Sequence, residues 1–78
     1  MHYTYVLQSL KDNDLYIGYT PDIEERIKDH ELGKVESTKY RRPLELVYFE
    51  TCKSKEKALK REKYFKTGFG RRFLKSRI

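Results

Sequence analysis

Residues 2–20 read HYTYVLQSLKDNDLYIGYT. His2 to Ser9 is rich in Tyr, Thr and Val, which is the composition of a strand. On that reading Tyr3, Tyr5 and Leu7 point to one side and Thr4, Val6 and Gln8 to the other. Leu10 to Asp14 is polar and turn-forming. Leu15 to Tyr19 is a second strand, and so short a link makes the two an antiparallel hairpin.

Working outward, Thr20-Pro21 opens a helix, with Thr20 as the N-cap and Pro21 at the first helical position. Asp22, Glu24 and Glu25 suit the positive end of its dipole, and Gly33 stops it. Residues 34–43 form a polar loop ending at Pro43. Leu44 to Thr51 is a third strand. Ser54 starts a second helix running to about Thr67, which Gly68 and Gly70 break. Arg71 to Ile78 is a short final helix. The order β-β-α-β-α-α predicts an α+β fold, a three-stranded antiparallel sheet flanked by helices, as a single domain over residues 1–78.

The chain is 37% hydrophobic and 38% charged, with seven Tyr and four Phe. Those aromatics argue for a folded core rather than disorder. The single cysteine, Cys52, excludes an internal disulfide and a Cys cluster for metal, and reads as a small buried or half-buried thiol at a strand end. No signal peptide and no long apolar run is present, so the expectation is a cytoplasmic protein that does not enter a membrane. The charge is uneven. Residues 1–52 carry seven Lys/Arg and ten Asp/Glu; residues 53–78 carry eleven Lys/Arg and two Asp/Glu. A polycationic C-terminal third on a slightly acidic body attracts phosphate backbones or anionic membranes, although a solvated basic face would look the same by charge alone.

Helical angles single out three polar residues. With Ile23 at 0°, Ile27 falls at about 40°, His30 at about −20° and Arg26 at about −60°. Arg26 and His30 therefore lie along the edge of the apolar stripe, one above the other. With Ala58 at 0°, Phe65 falls at about −20° and Glu62 at about 40°, so an acid sits inside an apolar sector. An unpaired buried carboxylate is costly, and something cationic should face it. Arg26 would serve, as a structural ion pair between helices; so would a metal ion. On the second strand Tyr16 and Gly18 share a face. A glycine there leaves space for a close backbone or a ligand, while Tyr is also an ordinary strand residue.

Together these residues resemble the GIY-YIG nuclease superfamily. The stretch YTYVL, ten residues between Tyr5 and Tyr16, YIG at Tyr16-Ile17-Gly18, Arg26 ten positions after Tyr16, His30 four later and Glu62 within ALKREKYFK follow that family's order. The segments RIKDHELGK, RRPLELVYFE and KREKYFKTGFGRRFLK look like its small stand-alone bacterial members, the YhbQ-like group. Two positions depart from the pattern. The first motif reads Tyr3-Thr4-Tyr5 rather than Gly-Ile-Tyr, which keeps Tyr5. Tyr19 stands where several members carry a lysine.

The resemblance implies a metal-dependent endonuclease that hydrolyses phosphodiester bonds, in DNA rather than RNA, in repair or recombination. Glu62 would ligate one Mg²⁺ or Mn²⁺, since one carboxylate with waters and a phosphate oxygen suits Mg²⁺ and two-metal sites need more carboxylates. Arg26 would hold the scissile phosphate. Tyr5 would orient water or phosphate. Tyr16 or His30 would take the proton of the attacking water: a free phenol has a pKa of about 10 and a free imidazole of about 6.5. Lys60, Arg61, Lys63, Lys66, Arg71 and Arg72 would steer the backbone without reading sequence. A catalytically silent nucleic-acid-binding module on the same scaffold, or a small adaptor in which Glu62 and Arg26 are a structural pair, are the competing readings. A chain this small also leaves room for a homodimer or a partner protein that presents the substrate.

Overall fold

In the computed structural model, which describes all of residues 1–78, the chain runs β1 (His2–Ser9), β2 (Leu15–Thr20), α1 (Ile23–Glu31), a 3-10 turn (Lys39–Arg41), β3 (Leu44–Cys52), α2 (Lys55–Phe65) and α3 (Gly68–Lys75). This is the expected α+β order. The sheet is antiparallel throughout, in the order β2-β1-β3, so β1 is the middle strand. A middle strand covered on both faces buries residues that point both ways. Thr4, Tyr5, Val6 and Leu7 are accordingly all buried. No helix is long and apolar enough to cross a membrane.

One face of the sheet carries the main apolar core, formed by Val6, Ile17, Phe65 and Leu74 with Leu15, Val47, Tyr48 and Phe73 against it. Val6 lies opposite Ile17 in the ladder, so their side chains share a face. A bulge in β3 supports this packing. Val6 pairs with Tyr48 and Leu7 with Leu46, which leaves Val47 as the extra residue. Two consecutive β3 side chains thus reach the same core. Each fully buried side chain of this type contributes about 1.5–3 kcal/mol. α2 is tied to the same face by Thr4, whose hydroxyl donates to the Ala58 carbonyl at 2.8 Å. The other face, with Tyr5, Leu7, Tyr16 and Gly18, is covered by α1 and the loop that follows it.

The structure shifts several element ends. The N-cap of α1 is Asp22 rather than Thr20: its carboxylate accepts from the Glu25 amide at 3.2 Å. Thr20 instead ends β2, and its hydroxyl closes a turn onto the backbone of Asp22. Asp is as good a cap as Thr, and Pro21 is placed just before it rather than inside the helix. Gly33, at a φ of 74°, turns the chain away after α1 as expected. The expected polar loop over residues 34–43 buries Val35 and Thr38 and holds the 3-10 turn. Ser54 caps α2, accepting from the Lys57 amide at 3.2 Å.

The C-terminal glycines act differently from the expectation. They do not separate α2 from a helix beginning at Arg71. Thr67 caps α3, accepting from the Gly70 amide at 3.1 Å, so both glycines lie in its first turn. Gly70 is there for space. A Cβ on it would overlap the Tyr64 carbonyl and the Phe65 backbone at the end of α2. The two helices therefore meet backbone to backbone, and this contact turns α3 so that Leu74 enters the core.

A Gly70→Ala substitution tests that contact. In an unobstructed helix it would stabilise by about 1 kcal/mol. Here overlap with α2 should destabilise the protein by about 1–3 kcal/mol, read as a lower urea midpoint. An unchanged or raised midpoint would show that α3 does not need the close approach.

Candidate active site

Tyr5 stands at the centre of the site because of its ladder partner. It pairs with Gly18 of β2. A Cβ on Gly18 would fall on the Tyr5 hydroxyl and the ring carbon bearing it. The phenol thus lies across β2 in the space the missing side chain leaves. The gap beside Tyr16 that the sequence offered to a ligand is filled by Tyr5. Its ring sits 6.4 Å from that of Tyr16, and both rings meet His30 edge-on, at 5.7 and 5.2 Å.

From this position the Tyr5 hydroxyl meets α1 twice. It lies 2.8 Å from His30 Nε2 and accepts from Arg26 Nε at 3.4 Å. The helical repeat brings both partners to it, because Arg26 and His30 are one turn apart on the face turned to the sheet. The second nitrogen of His30, Nδ1, lies 2.7 Å from Thr38 Oγ1. Thr38 is completely buried and His30 is 1% exposed. His30 is therefore no edge residue but a core histidine with both nitrogens occupied. A neutral imidazole has one N–H and one lone pair, so it donates one of these bonds and accepts the other. Burial, and then the Arg26 charge, lower the His30 pKa to about 4. Burial also raises the Tyr5 pKa, partly offset by Arg26, so Tyr5 remains a neutral phenol.

Arg26 is half-buried and has no carboxylate within 4.0 Å. The Tyr5 bond holds its charge and raises its pKa, with Tyr16 adding to the effect. The helix-to-helix ion pair between Glu62 and Arg26 that periodicity allowed is not formed. Glu62, on α2, pairs instead with Lys66 of its own helix, at 3.5 Å, with its side chain 22% exposed. The Glu62 charge still reaches Tyr5, where it opposes ionisation. The fold thus gathers Tyr5, Tyr16, Arg26, His30 and Glu62 around the β2 edge. Arg26 and His30 come from the layer on one side of the sheet and Glu62 from α2 on the other.

The six basic residues divide. Arg61 is fully engaged: it donates to both oxygens of Glu50, at 2.9 and 2.8 Å, and lies over Phe65, 4.6 Å from the ring centre. Its guanidinium lowers the Glu50 pKa. Lys60 pairs loosely with Glu56, both well exposed, and Lys66 with Glu62. Lys63, Arg71 and Arg72 are exposed with no carboxylate in reach. Cys52 ends β3, half-buried, its thiol donating to the Ser54 carbonyl. Thr38 gave no sequence signal, since a hydroxyl in a polar loop follows no period.

The His30 environment predicts a pH effect. The imidazole of the unfolded chain titrates near 6.5, the folded one at about 4. Between these values the unfolded chain binds a proton that the folded chain does not. Stability is thus complete above about pH 6.5 and falls, by on the order of 3 kcal/mol, as pH drops towards 4. Urea unfolding at pH 7.5 and pH 4.5 should show the wild type losing more stability than a His30→Gln variant. Equal losses would mean that His30 is not held neutral.

Residues 1–75 match the GIY-YIG catalytic domain. It is 49% identical over 67 residues to the UPF0213 protein SH2523 of Staphylococcus haemolyticus, covering 85% of this chain and 80% of that one. It is 46% identical over 66 residues to the UPF0213 protein YazA of Bacillus subtilis, covering 83% of this chain and 66% of that one. Among solved structures, the solution NMR structure of the UPF0213 protein BH0048 from Bacillus halodurans is similar, with a TM-score of 0.60, 38% identity, and coverage of 96% of this chain and 82% of that one. With a domain match over nearly the whole chain and relatives close to half identical, the chain belongs to the GIY-YIG family of nuclease catalytic domains.

Proposed function

We propose that this protein is a cytosolic, divalent-metal-dependent endonuclease that hydrolyses phosphodiester bonds in nucleic acid, DNA rather than RNA, in repair or recombination. The observation that carries the reading is Arg26. A guanidinium with no carboxylate partner, held at the β2 edge by the neutral Tyr5 hydroxyl, is a site waiting for an anion. Arg–phosphate hydrogen bonding is charge-assisted and can be bidentate. A merely structural arginine would be expected to pair, as Arg61 does with Glu50.

In hydrolysis, the oxygen of a water attacks phosphorus, one bridging P–O bond breaks, and the departing oxygen ends protonated. Arg26 binds the phosphate and stabilises the charge that grows on its non-bridging oxygens. Tyr16, half-buried beside Arg26, takes the proton of the attacking water as a phenolate and ends as the neutral phenol. The burial of His30, with both nitrogens bonded and a pKa of about 4, argues against its serving as that base. His30 instead holds Tyr5, and Tyr5 holds Arg26.

The donor set around Glu62 fits one ion. Glu62 stands alone, since no group of three or more His, Cys, Asp or Glu side chains is gathered there. Its only partner is an exposed lysine at 3.5 Å, a weak contact that a stronger cation would displace. A single carboxylate completed by waters and substrate oxygens suits Mg²⁺ or Mn²⁺. Such an ion supplies Lewis-acid polarisation of the phosphate. The alternative, a binding module without catalysis, draws on the same unpaired basic residues.

Cleavage assays separate the two. With single-stranded, duplex and branched DNA and with RNA, in Mg²⁺ or Mn²⁺, the wild type should cut at least one substrate and EDTA should stop it. Glu62→Gln should lose at least about a hundredfold in rate. Arg26→Ala should lose on the order of 10²–10³-fold, and Arg26→Lys should not restore it, lacking the planar fork. If no substrate is cut and the variants bind like the wild type, the silent module stands and the enzyme reading is lost.

A further inference from the structure

The site accounts for Tyr5 and Tyr16, yet one aromatic on the basic end of the molecule has no structural task. Phe69 is 73% exposed, against complete burial of Phe65 on the preceding helix. α3 turns Gly70 and Leu74 inward and packs Phe73 beside Phe65, so its apolar needs are met without Phe69. The Phe69 ring stands out on the first turn of the helix. The Arg72 guanidinium lies beside it, 5.6 Å from the ring centre. The surroundings are all of one sign: residues 63–78 hold six Lys/Arg and no Asp or Glu.

We infer that Phe69 is a stacking platform for a base of an unpaired nucleic-acid strand, with Arg72 beside the ring and Lys66 and Arg71 as phosphate contacts. This rests on the nuclease reading above and adds a substrate class to it. The chemistry favours a single strand. Every base has a π-face that an aromatic ring can hold, and stacking is indifferent to sequence. In a duplex those faces are already covered by neighbouring bases, so Phe69 would have to unstack a step at a cost that an unpaired segment does not carry. The cations would hold the backbone of either form.

Position supports the same occupant. Lys66 touches Glu62 at 3.5 Å. Phe69 is three residues beyond, no further than about 11 Å of chain. A strand whose phosphate rests against Arg26 and Glu62 can thus reach the ring within a few nucleotides. A protein partner fits poorly. Protein interfaces have an apolar core depleted of charge, and Phe69 is a single ring among cations.

The chain contains no tryptophan, which makes the test clean. Binding is measured in EDTA, to labelled single-stranded and duplex oligonucleotides of equal length, as DNA and as RNA. Phe69→Ala should weaken single-strand binding roughly ten- to a hundredfold, from the stacking energy per base, and leave duplex binding unchanged. Phe69→Tyr should retain it. The emission of Phe69→Trp should be quenched by the single strand and not by the duplex. Because the ring is exposed, circular dichroism and Tm should match the wild type. Arg71→Ala should instead weaken both forms and flatten the salt dependence. The inference is overturned if Phe69→Ala binds single strands as tightly as the wild type. Equal loss on the duplex, or a changed oligomeric state on gel filtration, would overturn it as well. Glu62→Gln separates the two readings: it should abolish cutting, while in that background Phe69→Ala should still weaken metal-free single-strand binding. Phe69-dependent binding in a protein that never cuts would remove only the enzyme reading.

Discussion

The Tyr5 phenol lying across Gly18 is the contact on which the candidate site depends. It begins in the middle strand, crosses the edge strand where no side chain stands, and ends between Arg26 and His30. One hydroxyl therefore ties the sheet to α1. His30 extends the tie to Thr38, and with it to the loop that leads to β3. A buried polar chain of this kind is stable only when each group is satisfied. No buried side-chain nitrogen or oxygen is left without a partner.

This arrangement separates two tasks. His30 and Thr38 are sealed from water and act on geometry. Arg26 and Glu62 reach the surface from opposite layers and keep their charges uncommitted to each other. Had they paired, as the helical angles allowed, each would have neutralised the other. Lys66 on the same helix gives Glu62 a weak, displaceable partner, and Tyr5 gives Arg26 a neutral one. Arg61 shows the opposite outcome a short distance away. It is locked between Glu50 and the aromatic rings of the core, and works as a structural residue within a basic segment.

Much of the fold was legible because its signals are local. The strands of the hairpin, the Ser54 cap and the stop at Gly33 follow from residue type and spacing. The element order and the α+β class came from the same signals. The errors fell at helix ends, where neighbouring residues compete for one role. Thr20 and Asp22 are both good caps, and with Thr20 held in the ladder as the last residue of β2 the cap falls to Asp22. At Gly68 and Gly70 the composition suggested a break, whereas the glycines admit a helix packed against the backbone of another. The five site positions were legible as a spaced pattern. Their environments were not: His30 looked like an edge residue and is wholly buried.

The sequence by itself determined the periodicities, the caps, the polarity of the chain and the order Tyr5, Tyr16, Arg26, His30, Glu62, because these are properties of neighbours along the backbone. Only the tertiary structure decided which of these side chains meet. Gly18 receives Tyr5 rather than a ligand because antiparallel register sets them opposite. Thr38 joins His30 because a loop with no pattern of its own folds under α1. Glu62 faces Lys66 rather than Arg26 because the two helices lie on opposite sides of the sheet, and that separation leaves the acid and the guanidinium both available at one edge.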